Sequence, residues 1–231
     1  MKPAELGQKY DQIASWWQSY HQDSGYGVKY LCKALQFLLN PDRNSKQPNS
    51  QVQKSATQNS NNSLAALDVG CGAGGRFIKV LEEQGCSVTG IDVSQTMIEL
   101  ATFEHSLAND QGVLHRFIHA DICDWQPDQS FDVIYAWDSI FHLPLQAQVP
   151  VLNKLCQCLK PGGVILYTFG NDIGEHMDTW EVSDEHSDVF YYSSVGINQN
   201  IETLMDNGLT VMHMELDQYP EKHVILIAQK H

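Results

Sequence analysis

A chain of 231 residues with 42% hydrophobic side chains is long enough for one α/β domain with a sizeable core. Its 28 acidic against 14 basic residues give a formal charge of −14, which repels phosphate backbones and anionic membranes at long range and argues against nucleic acid as a partner. No run approaches the roughly 18 apolar residues of a membrane span, and the N-terminus has no apolar signal core. Cys32, Cys71, Cys86, Cys123, Cys156 and Cys158, without C-x-x-C spacing, read as reduced thiols of a cytoplasmic protein.

Residues 1–40 read as two helices, the second carrying Val28, Leu31, Leu35, Leu38 and Leu39 at helical spacing. Residues 41–63 are dominated by Asn, Gln, Ser and Lys. A segment with so little to bury does not offset its ordering entropy, so a flexible linker is expected there. From Leu64 strand and helix alternate: strand 64–69, helix 74–85, strand 87–92, helix 95–108, strands 114–120 and 131–137, helix 145–159 and strand 163–169. That order predicts a parallel, doubly wound α/β sheet. In helix 145–159, Leu145, Val149, Leu152, Leu155, Cys156 and Leu159 form a stripe for the sheet, and Pro161-Gly162-Gly163 stops the helix. An insertion at 171–194 follows, then a helix near 195–207 and two strands, 209–217 and 222–229. The short connection around Tyr219-Pro220 makes these two strands antiparallel.

The stretch Leu67-Asp68-Val69-Gly70-Cys71-Gly72-Ala73-Gly74-Gly75 runs from a buried strand into a glycine-rich turn and then a helix. Glycine accepts positive φ and has no Cβ, so such a turn leaves main-chain N–H groups bare for a ligand. Gly70, Gly72 and Gly75 also satisfy the G-x-G-x-x-G dinucleotide fingerprint. Asp92, ending Ser87-Val88-Thr89-Gly90-Ile91-Asp92, suits the ribose hydroxyls of either nucleotide-type ligand. What separates the two is the series of later strand ends: His119-Ala120-Asp121-Ile122, then Phe131-Asp132-Val133-Ile134-Tyr135-Ala136-Trp137-Asp138, then Leu159-Lys160-Pro161-Gly162-Gly163-Val164-Ile165-Leu166. In this order, over roughly residues 64–170, the chain resembles the class I S-adenosylmethionine-dependent methyltransferases, in their small-molecule branch.

The resemblance implies a Rossmann-like doubly wound sheet of seven strands, mostly parallel with an antiparallel final strand at Glu221 to Ala228. It makes residues 1–40 an N-terminal helical lid and 64–231 the cofactor-binding domain, with 171–194 on the acceptor side. The implied cofactor is S-adenosyl-L-methionine, the product S-adenosyl-L-homocysteine, and the partner a small-molecule acceptor methylated on oxygen or nitrogen. Two rival readings stand beside it: an NAD-dependent oxidoreductase, kept by the glycine fingerprint, and a non-catalytic interaction module on the same fold.

For this cofactor, Gly70 and Gly72 would let the methionine portion lie against main chain, and Asp68, by the resemblance, would help hold its ammonium through water. Asp92 would accept from both ribose hydroxyls. Val93 and Met97 would pack near the adenine, with helix core as the competing role for Met97. The resemblance further implies that Asp121 and Ile122 meet the adenine edge, that Ala136 and Trp137 contact the methionine end, and that Tyr10 covers the cofactor. Asp138 and His142 follow the fourth strand, in a loop that faces the transferred methyl in relatives. Methyl transfer needs alignment first and a base only for some nucleophiles. His142 titrates near neutral pH and is the first candidate base. Tyr10, Trp16, Trp17 and Tyr20 of the lid and Trp180, Phe190, Tyr191 and Tyr192 of the insertion are expected to wall the acceptor, with sealing of lid to core as a second role compatible with the first. No histidine spacing matches a metal-ligand pattern, and no metal is expected.

Overall fold

A computed structural model describes residues 1–21, 24–39, 64–106, 112–183 and 186–231. The linker expectation for 41–63 lies outside the described residues. Two helices come first, α1 (Pro3–His21) and α2 (Val28–Leu39). The alternating part follows as β1 (Ala65–Val69), α3 (Arg76–Glu82), β2 (Ser87–Asp92), α4 (Gln95–Glu104), β3 (Arg116–His119) and β4 (Phe131–Ala136). After a single 3-10 turn at Ile140–His142 come α5 (Leu145–Cys158), β5 (Leu159–Gly170), β6 (Ile173–Ser183), β7 (His186–Val195), α6 (Gly196–Asp206), β8 (Leu209–Leu216) and β9 (His223–Lys230).

Seven strands form one sheet in the order β3-β2-β1-β4-β5-β9-β8, and β9 runs antiparallel to both of its neighbours. This is the mostly parallel sheet with a reversed final strand that the resemblance implies. A six-stranded parallel dinucleotide sheet has no such strand.

Side-chain alternation explains the layers. Leu67, Val69, Ile134, Ile165, Tyr167 and Leu226 point to the face covered by α5 and α6. Ala66, Val133, Tyr135, Leu166, Ile225 and Ile227 point to the opposite face, where Leu31 and Leu35 of α2 and Ile78 and Leu81 of α3 cover them. Leu31, Leu67 and Leu81 are completely buried. Cutting any one of them to alanine costs about 2–5 kcal/mol, since the site collapses only in part.

Two departures from the sequence expectation have local causes. Strand β5 starts at Leu159 rather than 163, because Leu159 already pairs with Phe131 and Pro161-Gly162-Gly163 loops out as a bulge, Gly162 at φ 78°, before Val164 pairs with Val133. In α5 the buried stripe takes Gln148 in place of Val149. The Gln148 amide donates to the Ser193 carbonyl at 2.7 Å and accepts from the Val195 N–H at 3.1 Å, so a polar side chain is buried with its partners satisfied. Those bonds dock the insertion, an antiparallel hairpin of β6 and β7, onto the sheet domain. No described helix is long and apolar enough to cross a membrane.

Candidate active site

The strand order reverses between β1 and β4, and a cleft opens at the carboxyl ends of β1, β2 and β4. This is where open α/β sheets hold ligands. Two glycines shape its floor. Gly70 has φ 76°, and a Cβ there would lie 2.4 Å from Ser139 Cβ, so both its backbone and the loop after β4 demand glycine. Gly72 has φ 54° and a Cβ there would meet nothing nearer than Trp17 Nε1 at 3.5 Å, which leaves its face open to the cleft.

Asp92 ties this loop to β2. Its Oδ2 accepts from Gly72 N–H and its Oδ1 from Ser94 N–H, both at 2.8 Å, so the carboxylate is aimed before any ligand arrives. Burial pushes its pKa up, and the backbone N–H bonds oppose that by favouring the ionised form. Val93, Met97, Asp121 and Ile122 line the same side. Met97 also packs against Ala14 and Ala73, the core role expected of it as the alternative. Asp121 Oδ1 accepts from Cys123 N–H at 2.8 Å. The Lys154 ammonium donates to the carbonyls of Ile122, Cys123 and Trp125 at 2.7, 3.0 and 2.8 Å, which clamps the loop carrying Asp121. Ala136 is fully buried in the sheet and does not line the cleft.

A second recess continues from the first past Trp137 and Asp138, and it contains Asp68, Arg76 and His21. Burial pushes the Asp68 carboxyl up to about 8. Arg76 donates through Nε to the Tyr26 carbonyl at 2.5 Å, and among the described residues no carboxylate pairs with it. Trp137 is walled by Tyr26, Tyr30 and Phe77, and its buried indole N–H has no partner among the described residues. A cation, a buried N–H and a buried carboxyl in one recess suit a zwitterionic amino-acid end. The lining of the first cleft and of this recess together suits S-adenosylmethionine.

Asp138 lines both halves, and Tyr10 and His142 close the first. The Nδ1–H of His142 donates to the Tyr191 carbonyl at 2.8 Å, which leaves Nε2 as the lone-pair nitrogen, 3.1 Å from the Tyr10 hydroxyl. Burial lowers the His142 pKa to about 4 and raises that of Tyr10.

The aromatics of α1 and of the β6–β7 hairpin meet one another directly. Trp16 and Trp17 contact Trp180 at ring separations of 5.8 and 5.5 Å, and Tyr10 contacts Phe190 at 5.3 Å, so most of these rings pack on one another. Only Tyr10 and Trp17 of that set line the main cleft, and Tyr20 is exposed. Two lid residues had no signal in the sequence. A Cβ on Gly7 would lie 2.2 Å from the Val93 carbonyl oxygen, so α1 crosses the end of β2 at backbone distance. Asp11 accepts from Ser94 Oγ at 2.6 Å and Thr96 N–H at 2.9 Å, seating α1 on the first turn of α4.

Glu82, His105 and His115 also come together. Val88 N–H donates to His115 Nδ1 at 3.1 Å, so Nε2 carries the proton and donates to Glu82 at 2.9 Å. A ring used this way has no lone pair left for a metal.

Residues 66–163 match the family model described as a methyltransferase domain. Phosphoethanolamine N-methyltransferase 2 of Caenorhabditis elegans is 33% identical over 116 residues, 50% of this chain and 26% of that protein. Ubiquinone biosynthesis O-methyltransferase of Rickettsia canadensis is 26% identical over 221 residues, 90% of this chain and 84% of that protein. The chain spans less than half the length of several curated relatives it matches, 26%, 20% and 41% for three of them. Among solved structures, magnesium protoporphyrin IX methyltransferase of Synechocystis PCC 6803 with bound SAM superposes with TM-score 0.62 at 15% identity, covering 100% of this chain and 98% of that one. In its ordered strand ends, its reversed β9 and the methyltransferase-domain match over residues 66–163, this chain is similar to the class I S-adenosylmethionine-dependent methyltransferases.

Proposed function

We propose that the protein is a cytoplasmic enzyme that moves the methyl of S-adenosylmethionine to an oxygen or nitrogen of a small-molecule acceptor, leaving S-adenosylhomocysteine. The observation that carries this is the continuity of the two recesses: Gly72 and Asp92 prepare one end, Asp68 and Arg76 the other, and Asp138 stands where they join. The printed names of relatives include N- and O-methyltransferases of small molecules, which supports the acceptor class without choosing the atom.

When bound, the cofactor supplies a methyl already activated by a sulfonium. What remains for the chain is to align a nucleophile, exclude water and take up a proton where one is released. Asp92 and the Gly72 main chain hold the ribose side, Asp121 and Ile122 border the adenine, and Arg76 with Asp68 receives the carboxylate and ammonium. Tyr10 closes the cleft by donating to His142. With its lone pair so engaged and its pKa lowered to about 4 by burial, His142 serves better to orient Tyr10 than as the base. Asp138 is then the carboxylate facing the nucleophile.

Calorimetry with S-adenosylmethionine, S-adenosylhomocysteine and NADH, run in parallel on Asp92→Ala, tests the reading. The first two are expected to bind in roughly the micromolar range, with the affinity about tenfold or more weaker in the variant. Binding of NADH alone would overturn it, and an acceptor panel on the binding-competent protein then identifies the nucleophile.

A further inference from the structure

Asp138 is the single non-glycine among the described residues with positive φ, 52°. An aspartate pays about 1 kcal/mol or more for that conformation, so the surroundings must hold it. Its N–H donates to Thr168 Oγ1 at 2.9 Å, and the Thr168 hydroxyl donates back to Asp138 Oδ1 at 3.2 Å. The stronger hold comes from the other end of the chain. His223, the first residue of β9, places Nε2 2.9 Å from the same Oδ1, and its Nδ1 lies 2.5 Å from Oδ1 of Asp217 in the β8–β9 turn. Asp217 and His223 side chains are only 6% and 12% exposed, against 27% for Asp138.

The geometry fixes the protonation of the ring. A neutral imidazole has one N–H and cannot donate to two carboxylates, so contacts on both nitrogens call for the imidazolium. The other groups facing His223 are the Gln218 amide, 3.3 Å from Nδ1, and the Trp137 and Phe141 rings at 6.2 and 6.3 Å. Behind Asp138 stand Arg76 of α3 and Tyr26, whose own titrations it perturbs. Asp138, His223 and Asp217 together carry one net negative charge. Oδ1 of Asp138 is spent on His223 and Thr168, while Oδ2 accepts no hydrogen bond among the described residues, and Asp138 as a residue lines both recesses.

We propose that Asp217 and His223 are positioning residues that form a relay to Asp138: Asp217 fixes the His223 ring, and the ring fixes the Asp138 carboxylate so that its free oxygen receives an ammonium group of a ligand. This rests on the reading of the cleft as the methyltransferase site. The ammonium has two sources, the amino-acid end of the cofactor or an amine acceptor, and the same carboxylate serves either. Burial lowers the His223 pKa, and the hydrogen bonds that the ring donates to the Asp138 and Asp217 carboxylates outweigh it and raise the value. As pH rises through that raised value the ring loses a proton, one of its two bonds becomes a lone pair facing a carboxylate, and the relay opens.

The test compares wild type, Asp138→Asn, His223→Gln and Asp217→Asn by calorimetry between pH 6 and 9. The probes are S-adenosylhomocysteine, 5′-methylthioadenosine, which keeps the adenosine and thioether but lacks the amino-acid end, and butylammonium chloride added to protein saturated with S-adenosylhomocysteine. If the cofactor is the source, the variants weaken S-adenosylhomocysteine about tenfold and leave 5′-methylthioadenosine unchanged. If an acceptor is the source, both cofactor analogues bind normally and butylammonium affinity falls about tenfold. In either case the affected affinity declines on the alkaline side in wild type, and Asp217→Asn moves that decline to lower pH by about one unit. A ring merely filling space would leave the pH profile where it was, and that result overturns the relay while the methyltransferase reading stands. Loss of both analogues together in a variant also overturns it, because the damage is then to the fold. Wild type binding neither analogue would remove the methyltransferase reading itself. Histidine-selective nitrogen NMR on the ligand-free protein gives an independent check: His223 is expected with both ring nitrogens protonated at neutral pH, and a single-proton tautomer there sinks the proposal whatever the variants do.

Discussion

The Tyr10 hydroxyl donates to Nε2 of His142 across 3.1 Å, joining the lid helix to the turn after β4, and the Tyr191 carbonyl holds the other nitrogen of the same ring at 2.8 Å. Three segments distant in sequence meet on one imidazole. Tyr10→Phe leaves a buried ring nitrogen without a donor, which costs about 1–3 kcal/mol. His142→Gln removes the acceptor and costs a similar amount. Because both act through one bond, the double variant should fall short of the sum by about 1 kcal/mol in urea unfolding. Strict additivity would mean that the two side chains do not meet in solution.

Asp92 is expected to do two things at once. Asp92→Ala removes the ribose acceptor and also releases the Gly72 and Ser94 N–H groups, so S-adenosylhomocysteine affinity should fall by about tenfold to several hundredfold and stability by about 1–3 kcal/mol. Asp92→Asn keeps the shape but sets an amide N–H against a backbone N–H, so it should recover little of the affinity. Unchanged affinity in both variants would place the ribose elsewhere.

Asp68 gives the cleft a proton to lose. Burial puts its pKa at about 8, so at pH 7 the carboxyl is mostly protonated, and an ammonium beside it favours the ionised form. Binding of S-adenosylhomocysteine at pH 7 should therefore release roughly half to one proton. Titrations in buffers of different ionisation enthalpy measure that number, and Asp68→Asn should abolish it. A binding enthalpy independent of buffer in the wild-type protein would remove Asp68 from the ligand's surroundings.

Much of this was legible before the fold was known, for reasons that differ by residue. Gly70, Gly72 and Asp92 announce themselves because a strand, a positive-φ turn and a second strand lie within 30 residues, and each leaves a local signature. The layers follow from alternation along β1, β4, β5 and β9, which period alone reveals. The sequence marks the hairpin of β6 and β7 only as an insertion, because Glu175, Asp178, Glu181 and Asp188 interrupt any apolar alternation in these strands. Gln148 as the insertion's anchor, Lys154 as a loop clamp and the His223 contact with Asp138 were not legible. Each depends on partners 29 to 85 residues away, and nothing in the flanking sequence marks a side chain for such a meeting.

Stability should fall in mild acid. His142 has its folded pKa lowered to about 4 by burial, below the ordinary 6.5, so the unfolded chain takes up the proton first. The stability this ring contributes is present above pH 6.5 and is lost as pH falls toward 4, at about 1.4 kcal/mol per pH unit for a fully buried group. His21 is lowered to about 4 as well, chiefly by burial and then by Arg76, but is only half-buried and should add less. Urea midpoints between pH 7 and 5 in wild type and His142→Gln measure the slope, and equal slopes would mean that His142 protonates normally in the folded protein.

The lid gives the most direct mechanical prediction. Glycine inside a helix costs about 1 kcal/mol relative to alanine, so Gly7 is a poor choice for α1 unless something forbids a Cβ. The Val93 carbonyl does, at 2.2 Å from where that atom would stand. Gly7→Ala should strengthen α1 as a helix yet lift it from the end of β2, weakening S-adenosylhomocysteine by about tenfold and exposing residues 3–21 to protease. Asp11→Ala, which removes the bonds to Ser94 and Thr96, should produce the same pattern more weakly, costing about 1 kcal/mol at the α4 terminus. The sheet domain should unfold at nearly its original denaturant concentration in both variants, since neither residue touches the buried layers formed by α2, α3, α5 and α6. If Gly7→Ala instead leaves cleavage of α1 and ligand affinity at wild-type values, then α1 does not ride on Val93 in solution, and Tyr10 reaches His142 by some other seating of the lid.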